Sequence, residues 1–321
     1  MDIELLVVDA DNGNMHDVSE LAQQVEWTTS LDGSASQLSF KLTKSDFNFP
    51  CGSDVIFRIP NKQNVFRGKV FTTSYDKERE LEVLCYDQMR ILKNSDTYIF
   101  KNKKAHEIFE KICKDWNLKY EIRAQVDHIC VPFPYDNKPL GEIIQTALDE
   151  TFVFAKEYLF MHDEFGVLVL DNLFNYRRNY VLDKDFLQEN FSYSRSIDSD
   201  VYNQIKLMRT DDKNQVEALY FVENPANVQK WGRLQYFEKA EQNASAAELK
   251  TRAEGLLAVK NKPKQKLSFT TEGKLDLFAG CGFRVNLSEI IPNETIKFCI
   301  IQTARHTFTN NEHKMQLEVI L

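Results

Sequence analysis

The chain has 321 residues, 43% of them hydrophobic, enough to bury more than one core at a length that suggests two or three domains. A formal charge of -8 excludes a nucleic-acid binder that works by neutralising phosphates. No apolar stretch is long enough to span a membrane, and the start, MDIELLVVDADNGN, has neither the basic region nor the apolar run of a signal peptide, so the chain is expected to be made and kept in a cytoplasm.

Residues 2–95 read as strands. Ile3 to Val8 is a short apolar run closed by Asp11-Asn12-Gly13-Asn14, whose Asn-Gly pair suits a tight hairpin turn. Val25, Trp27, Thr29 and Leu31 alternate with polar residues, as do Leu38, Phe40 and Leu42, around Asp32-Gly33-Ser34. Asp54 to Pro60 and Val65 to Tyr75 make a third pair around Asn61-Lys62-Gln63-Asn64, and Leu81 to Leu92 closes the set. Short strands with regular turns and no helix between them predict a small antiparallel barrel or sandwich.

The period changes between Gly68 and Trp116. After a charged DKER hairpin turn Leu81, Val83 and Cys85 alternate, and beyond an irregular arm Ile108, Phe109, Ile112, Cys113 and Trp116 form a helical stripe. A second helix is expected from Pro139 to Phe152, with Leu140, Ile143, Ile144, Ala147, Leu148 and Phe152 inward. Leu118 to Ile122 and VPFPYDN look like short strands and loop, and Tyr158 to Met161 and Val167 to Leu170 like a hairpin around His162-Asp163-Glu164-Phe165-Gly166. Residues 96–185 therefore make a mixed module.

From 186 to 321 the period returns to two. Tyr202 to Met208 pairs with Val216 to Val222 around Thr210-Asp211-Asp212-Lys213-Asn214, and Leu267 to Thr271, Leu275 to Phe278 and Phe283 to Leu287 follow. In the last hairpin Ile296, Phe298 and Ile300 answer Met315, Leu317 and Val319 across Thr309-Asn310-Asn311. One helix, 245–259, interrupts the set: Ser245 caps it, Glu248 completes a capping box, and Leu249, Ala253, Leu256 and Leu257 form its stripe against the second β domain.

The same residues assign no catalytic, cofactor-binding or metal-binding site. The six histidines never form HExxH; after His106-Glu107, Glu110 stands where a second zinc ligand is needed. There is no GxSxG, P-loop or GxGxxG. Asp9, Asp11 and Glu20 fall in an EF-hand register, but Asn14 takes the glycine's place and the flanks are strands, so a plain hairpin turn is expected. Asp149-Glu150 and Asp163-Glu164 are expected as solvated surface rather than a glycosidase dyad, and Lys260 to Lys266 (KNKPKQK) as a solvated linker. Cys51, Cys85, Cys113, Cys130, Cys281 and Cys299 lack ligand spacing and are expected as reduced thiols, mostly buried. His306 is expected as a hydrogen-bonded strand histidine.

A resemblance rests on weak signals in collinear order. Gly68-Lys69-Val70, the Cys85-Tyr86-Asp87 strand end, Leu92 and the helix carrying Ile108, Ile112 and Trp116 come first. Then follow Val228 to Gly232 as the turn before a strand, the helix Ser245 to Val259, Pro263, the Ala279-Gly280 turn and a final hairpin bearing His306 and Met315. The chain resembles, over nearly its full length, the baseplate hub proteins of contractile phage tails and phage-tail-like bacteriocins (tailocins), of the YqbQ/XkdQ prophage type. Cys281 departs from the pattern, since a polar or acidic residue commonly follows the turn glycine, and no lysozyme-like domain is appended.

The resemblance implies a mainly β fold with an α+β insertion: two antiparallel tube-type β-barrels flanking a small mixed α/β module. The implied domains are 1–95, 96–185 and 186–321, the last with helix 245–259 inserted. The implied function is a structural hub, a homotrimer joining the hexameric tail tube protein to the trimeric central spike protein, with tape measure and baseplate wedge proteins as further partners and no cofactor, membrane insertion or specific nucleic-acid binding. It would assemble in the bacterial host cytoplasm and then reside in the baseplate of a virion or tail-like particle. The rival readings are a tail-associated cell-wall hydrolase, which needs a convergent acidic or Cys/His site, and a carbohydrate- or receptor-binding module, which needs an exposed aromatic platform.

Overall fold

The computed structural model describes the chain except residues 1, 44–46, 60–62, 78–79, 131–132, 184–189, 211–215, 241–244, 289–290, 293 and 310–311. Several expected turns (60–62, 78–79, 211–214, 310–311), part of VPFPYDN and the expected boundary at 185/186 lie partly or wholly outside the described residues.

The N-terminal hairpins form as the alternation predicts. Glu4–Val8 pairs with Met15–Asp17 and with Asp54–Ile59, Asp54–Ile59 with Gln63–Tyr75, Gln63–Tyr75 with Leu81–Tyr86, Leu81–Tyr86 with Gln37–Leu42, and Gln37–Leu42 with Ala22–Ser30. Gly13 and Gly33 take φ of 74° and 78° in the first two turns, where a side chain would be strained. The chain does not stop at this unit. Ala22–Ser30 pairs antiparallel with Ile296–Phe308, and His313–Ile320, Lys264–Glu272 and Phe191–Ser196 follow outward from it. The two ends of the sequence thus share one 13-stranded sheet, with Arg177–Leu182 and Gly282–Asn286 attached to the start of Ile296–Phe308.

The strand Ile296–Phe308 corrects an expectation. Its buried residues are Cys299 and Ile301, then Ala304, His306 and Phe308, because a register shift between Ile301 and Thr303 moves the inward set from odd to even positions. Ile296 and Phe298 therefore face outward, 56% and 41% exposed, and pair with Asn286 and Arg284 rather than with the last strand. The true partners of Met315, Leu317 and Val319 are His306, Ala304 and Ile301. Leu275 to Phe278 is not a strand either; it belongs to a loop between Glu272 and Gly282.

In sequence the mixed module lies between the segments that form the two halves of the sheet. Helix α1 (Ala105–Asp115), whose Glu107 accepts the Lys104 N–H at 3.0 Å, and helix α2 (Leu140–Ala155), preceded by Pro139, bury the stripes read from the sequence except Trp116 and Phe152, which are half-buried. They share a core with Leu159, Met161, Leu168 and Leu170 of the hairpin Leu159–Asp163/Leu168–Asn172, to which Tyr120–Ile122 adds in parallel. The expected irregular arm is ordered: Asp87 caps a short 3-10 helix, Gln88–Lys93, and Ser95–Phe100 pairs with Phe133–Pro139.

Residues 197–263 are a further surprise. Ser196 and Lys264 are register partners in one hairpin, and the described residues between them form a small unit in place of its turn. Gln204–Thr210 is the middle strand of a separate three-stranded sheet, antiparallel to Val216–Glu223 and parallel to Gln235–Lys239. Helix α3 (Pro225–Trp231), capped by Asn224 with Pro225 at its first turn, stands where only a turn was expected. Helix α4 (Ala246–Lys260) carries the predicted Ser245/Glu248 capping box, but its Leu249, Ala253 and Leu256 pack on Ile205 and Leu207 of this small sheet rather than on the large one. Its other side approaches α2, where a Cβ added to Gly255 would meet Val153 at 3.0 Å. Among the described residues no helix is long and apolar enough to cross a membrane.

Candidate functional site

The hairpin Leu159–Asp163/Leu168–Asn172 stands where the cores meet, and strand alternation explains how. Leu159 and Met161 point into the mixed module, whereas Phe160 points into the core that holds Leu182, Phe269 and Cys281. A cavity of about 420 Å³ opens beside it, lined among others by Trp27, Ser34, His162, Glu164, Arg178 and Phe278. The loop 273–281 closes one wall by polar contacts to both sides of the sheet. The Ala279 N–H donates to Thr29 Oγ1 at 2.9 Å, Gln63 Nε2 to the Leu275 carbonyl at 3.2 Å, and Arg178 Nε to the Asp276 carbonyl at 3.1 Å.

His306 is the deepest of these pins. It is the register partner of Trp27 across the join of the two halves, is fully buried, and lies 5.1 Å from the Trp27 ring. With the Leu277 carbonyl 2.9 Å from Nε2, that nitrogen must carry a proton, so Nδ1 accepts from His313 Nε2 at 2.9 Å. Burial pushes the His306 pKa down to about 4, which keeps the ring neutral.

The carboxylates are less solvated than the sequence suggested. Glu164 accepts from His162 Nε2 at 3.0 Å and from Arg123 at 2.6 and 2.7 Å, and the His162 bond first among these holds its pKa down at about 2. Asp163 accepts from Gln88 Nε2 and the Gly166 N–H, and Asp87 from the Met89 and Ser36 N–H groups. Burial, reinforced by neighbouring negative charge, raises both pKa values. Glu150 is also buried, 3.0 Å from His128 Nε2, whereas Asp149 is exposed and accepts from Gln145. The expectation of solvated acidic pairs holds for Asp149 and fails for Glu150, Asp163 and Glu164, because a hairpin tip and a helix end that look terminal in sequence are packed against other segments.

The remaining candidates do not converge. Asp9 accepts the N–H groups of Asp11 and Asn12 as a turn residue, while Glu20 is exposed. Cys51 is exposed and the other five thiols are buried, and among the described residues no group of three or more His, Cys, Asp or Glu is placed to hold a metal ion. The run KNKPKQK is not simply solvated: Lys260 and Lys264 both grip Asp200, the latter at 2.7 Å, where the chain enters and leaves the inserted unit. Trp27 is buried and Trp116 and Trp231 half-buried, so the tryptophans form no exposed platform. What the sequence reading missed is the outer face of the small sheet, with Leu219, Phe221 and Phe237 about half exposed. Its signal was present: Val216 to Val222 is apolar on both parities, a pattern that asks for cover on both faces.

A long sheet that joins both chain ends, with polar groups spent on holding segments together, defines a structural scaffold, and comparison gives its class. Over 99% of its length the chain superposes on the 43 kDa tail protein of prophage MuSo2 from Shewanella oneidensis (TM-score 0.72, 14% identity, 98% of that chain). Over 93% it matches an E. coli type VI secretion component described as structurally similar to the T4 bacteriophage tail proteins gp27 and gp5 (TM-score 0.55, 12% identity, 73% of that chain). The fold is the mainly β fold of phage tail and baseplate proteins.

The YqbQ-like family model matches residues 25–320, and the chain belongs to that family. It is 28% identical to the phage-like element PBSX protein XkdQ of Bacillus subtilis (strain 168) over 272 residues, 84% of this chain and 81% of that one. Solved structures on which it superposes are those of prophage and other tail proteins, and the resemblance drawn from the sequence holds.

Proposed function

We propose that this chain is the baseplate hub of a contractile tail or tail-like particle, a homotrimer joining the hexameric tail tube to the trimeric central spike. The observation that carries the reading is the join of Ala22–Ser30 to Ile296–Phe308, which sets an N-terminal and a C-terminal strand array side by side in one chain. Two tube-type barrels per chain and three chains per ring would meet a sixfold tube and a threefold spike together. The likeness to a protein described as similar to gp27 and gp5 supports this assignment. In this reading 1–95 and 186–321 are the two tube-type domains, 96–185 is a mixed module on the outside of the ring, and tape measure and wedge proteins are neighbours. The chain would assemble in the bacterial host's cytoplasm before residing in the particle's baseplate.

Imaging of particles containing the chain tests the reading. Three copies per ring between tube and spike are expected. Two, four or six copies, or a position away from the tube axis, overturn it.

A further inference from the structure

The inserted unit 197–263 has one sheet face covered by α4 and one that is open. Register places three rows on this face: Gln204, itself buried, between Glu223 and Gln235, Lys206 between Phe221 and Phe237, and Met208 between Leu219 and Lys239. Leu219, Phe221 and Phe237 are 53%, 47% and 50% exposed, large apolar side chains side by side rather than scattered. In their midst Lys206 is half-buried. Arg209 pairs with Glu217 and Arg252 with Glu238, whereas Lys206 has no ion pair among the described residues.

We propose that this face docks a partner chain of the tail particle that presents a single carboxylate ringed by apolar side chains. The Lys206 ammonium takes the carboxylate, and Phe221, Phe237 and Leu219 take the ring around it. Lys206 and Lys239, offset by Glu223 on the same face, leave one net positive charge, too little for a phosphate backbone or an anionic membrane surface, which both need several. A second copy docking symmetrically through the same face would bring Lys206 against Lys206, so self-pairing is disfavoured. A carboxylate set between two aromatic rings and a lysine fits both the unpaired cation and the apolar side chains around it.

The inference rests on the chain being a tail-particle component, and the test separates the two. Particles are purified from the producing strain, and the chain's presence is established by mass spectrometry. Zero-length carbodiimide coupling, which joins an amine only to a carboxylate it touches, is then mapped at Lys206. Radical footprinting compares Phe221 and Phe237 in particles and in the free chain. A Lys206 amide to an Asp or Glu of a different tail protein, with both rings protected, is the expected result. Lys206→Met should lose the cross-link, and Lys206→Glu should weaken retention of that partner about tenfold or more. Both variants should melt like the parent, because Ile205 and Leu207 on the other face are untouched.

If the chain is in the particle but its rings are as reactive as in solution, or Lys206 couples to a second copy, the docking site is refuted and the hub reading stands. If the chain is absent from the particle, the reading itself falls and the docking site with it.

Discussion

The join between the sheet halves and the inserted unit are built from the same materials, alternating strands and a few charged pairs, yet they use them oppositely. At the join, Trp27, His306 and Phe308 are buried, Phe308 contributes to the N-terminal core from a C-terminal strand, and a loop is pinned over them by hydrogen bonds from both sides. In the inserted unit a core of five buried residues holds one sheet face, and the other is left open. The join is buried and over-determined, whereas the unit is tethered at a neck and against α2. Cooperative stability should therefore be concentrated in the first, and partner contact in the second.

The largest expected effect tests that division at the join. Phe308→Ala removes a ring packed 5.0 Å from Phe57 across the two halves and should cost about 3–5 kcal/mol, lowering the melting temperature of the whole chain. Hydrogen exchange should accelerate on both sides, in Ala22–Ser30 and in His313–Ile320. Acceleration on one side alone would mean that the halves are independent units.

Leu256→Asp places a charge in the small core and should cost about 3 kcal/mol there. Because α4 packs on its own sheet, exchange should rise across 204–260 while amides of 22–30 stay protected. Global unfolding would show that the inserted unit is an integral part of the main fold.

The join should also carry a pH dependence of known sign. His306 has its pKa lowered to about 4 in the folded chain against an ordinary 6.5, so between those values the unfolded chain binds more protons. Its contribution is complete above pH 6.5 and is lost as the pH falls through that window, by about 3 kcal/mol. Urea titrations of the parent and of His306→Gln, compared at pH 7 and 4.5, should show the parent losing more stability on acidification. Equal losses would remove His306 as the source.

These contrasts were only partly legible in the sequence. The stripes of α1, α2 and α4 and the N-terminal hairpins could be read because each buries one face with an unbroken period. Ile296–Phe308 was misread because its bulge changes parity in mid-strand, which no single period describes. The separate sheet under α4 was missed for a different reason. Strand periodicity says that a strand forms and which face is apolar, but not which sheet it joins. Glu150, Asp163, Glu164 and KNKPKQK were misjudged because burial by distant segments, and Asp200 some sixty positions away, are invisible to a local window.

The neck offers the smallest and most specific effect. Asp200 adopts φ of 54°, which turns its carboxylate toward both Lys260 at the end of α4 and Lys264 at the start of the returning strand. The Tyr202 N–H donates to the Lys260 carbonyl at 3.1 Å, so the entering and leaving segments are tied by backbone as well as charge. Ion pairs this exposed contribute little, about 0.5–1 kcal/mol, and are screened by salt. Asp200→Ala should accordingly leave the melting temperature nearly unchanged. It also places a less tolerant residue at positive φ, so Asp200→Asn, which keeps the backbone preference and removes only the charge, is the cleaner variant. Exchange of the Tyr202 amide should rise severalfold in Asp200→Asn at low ionic strength, and the difference from the parent should shrink in high salt. A rise that salt does not reduce would assign the neck's rigidity to its backbone hydrogen bond alone, leaving the inserted unit's tether independent of charge.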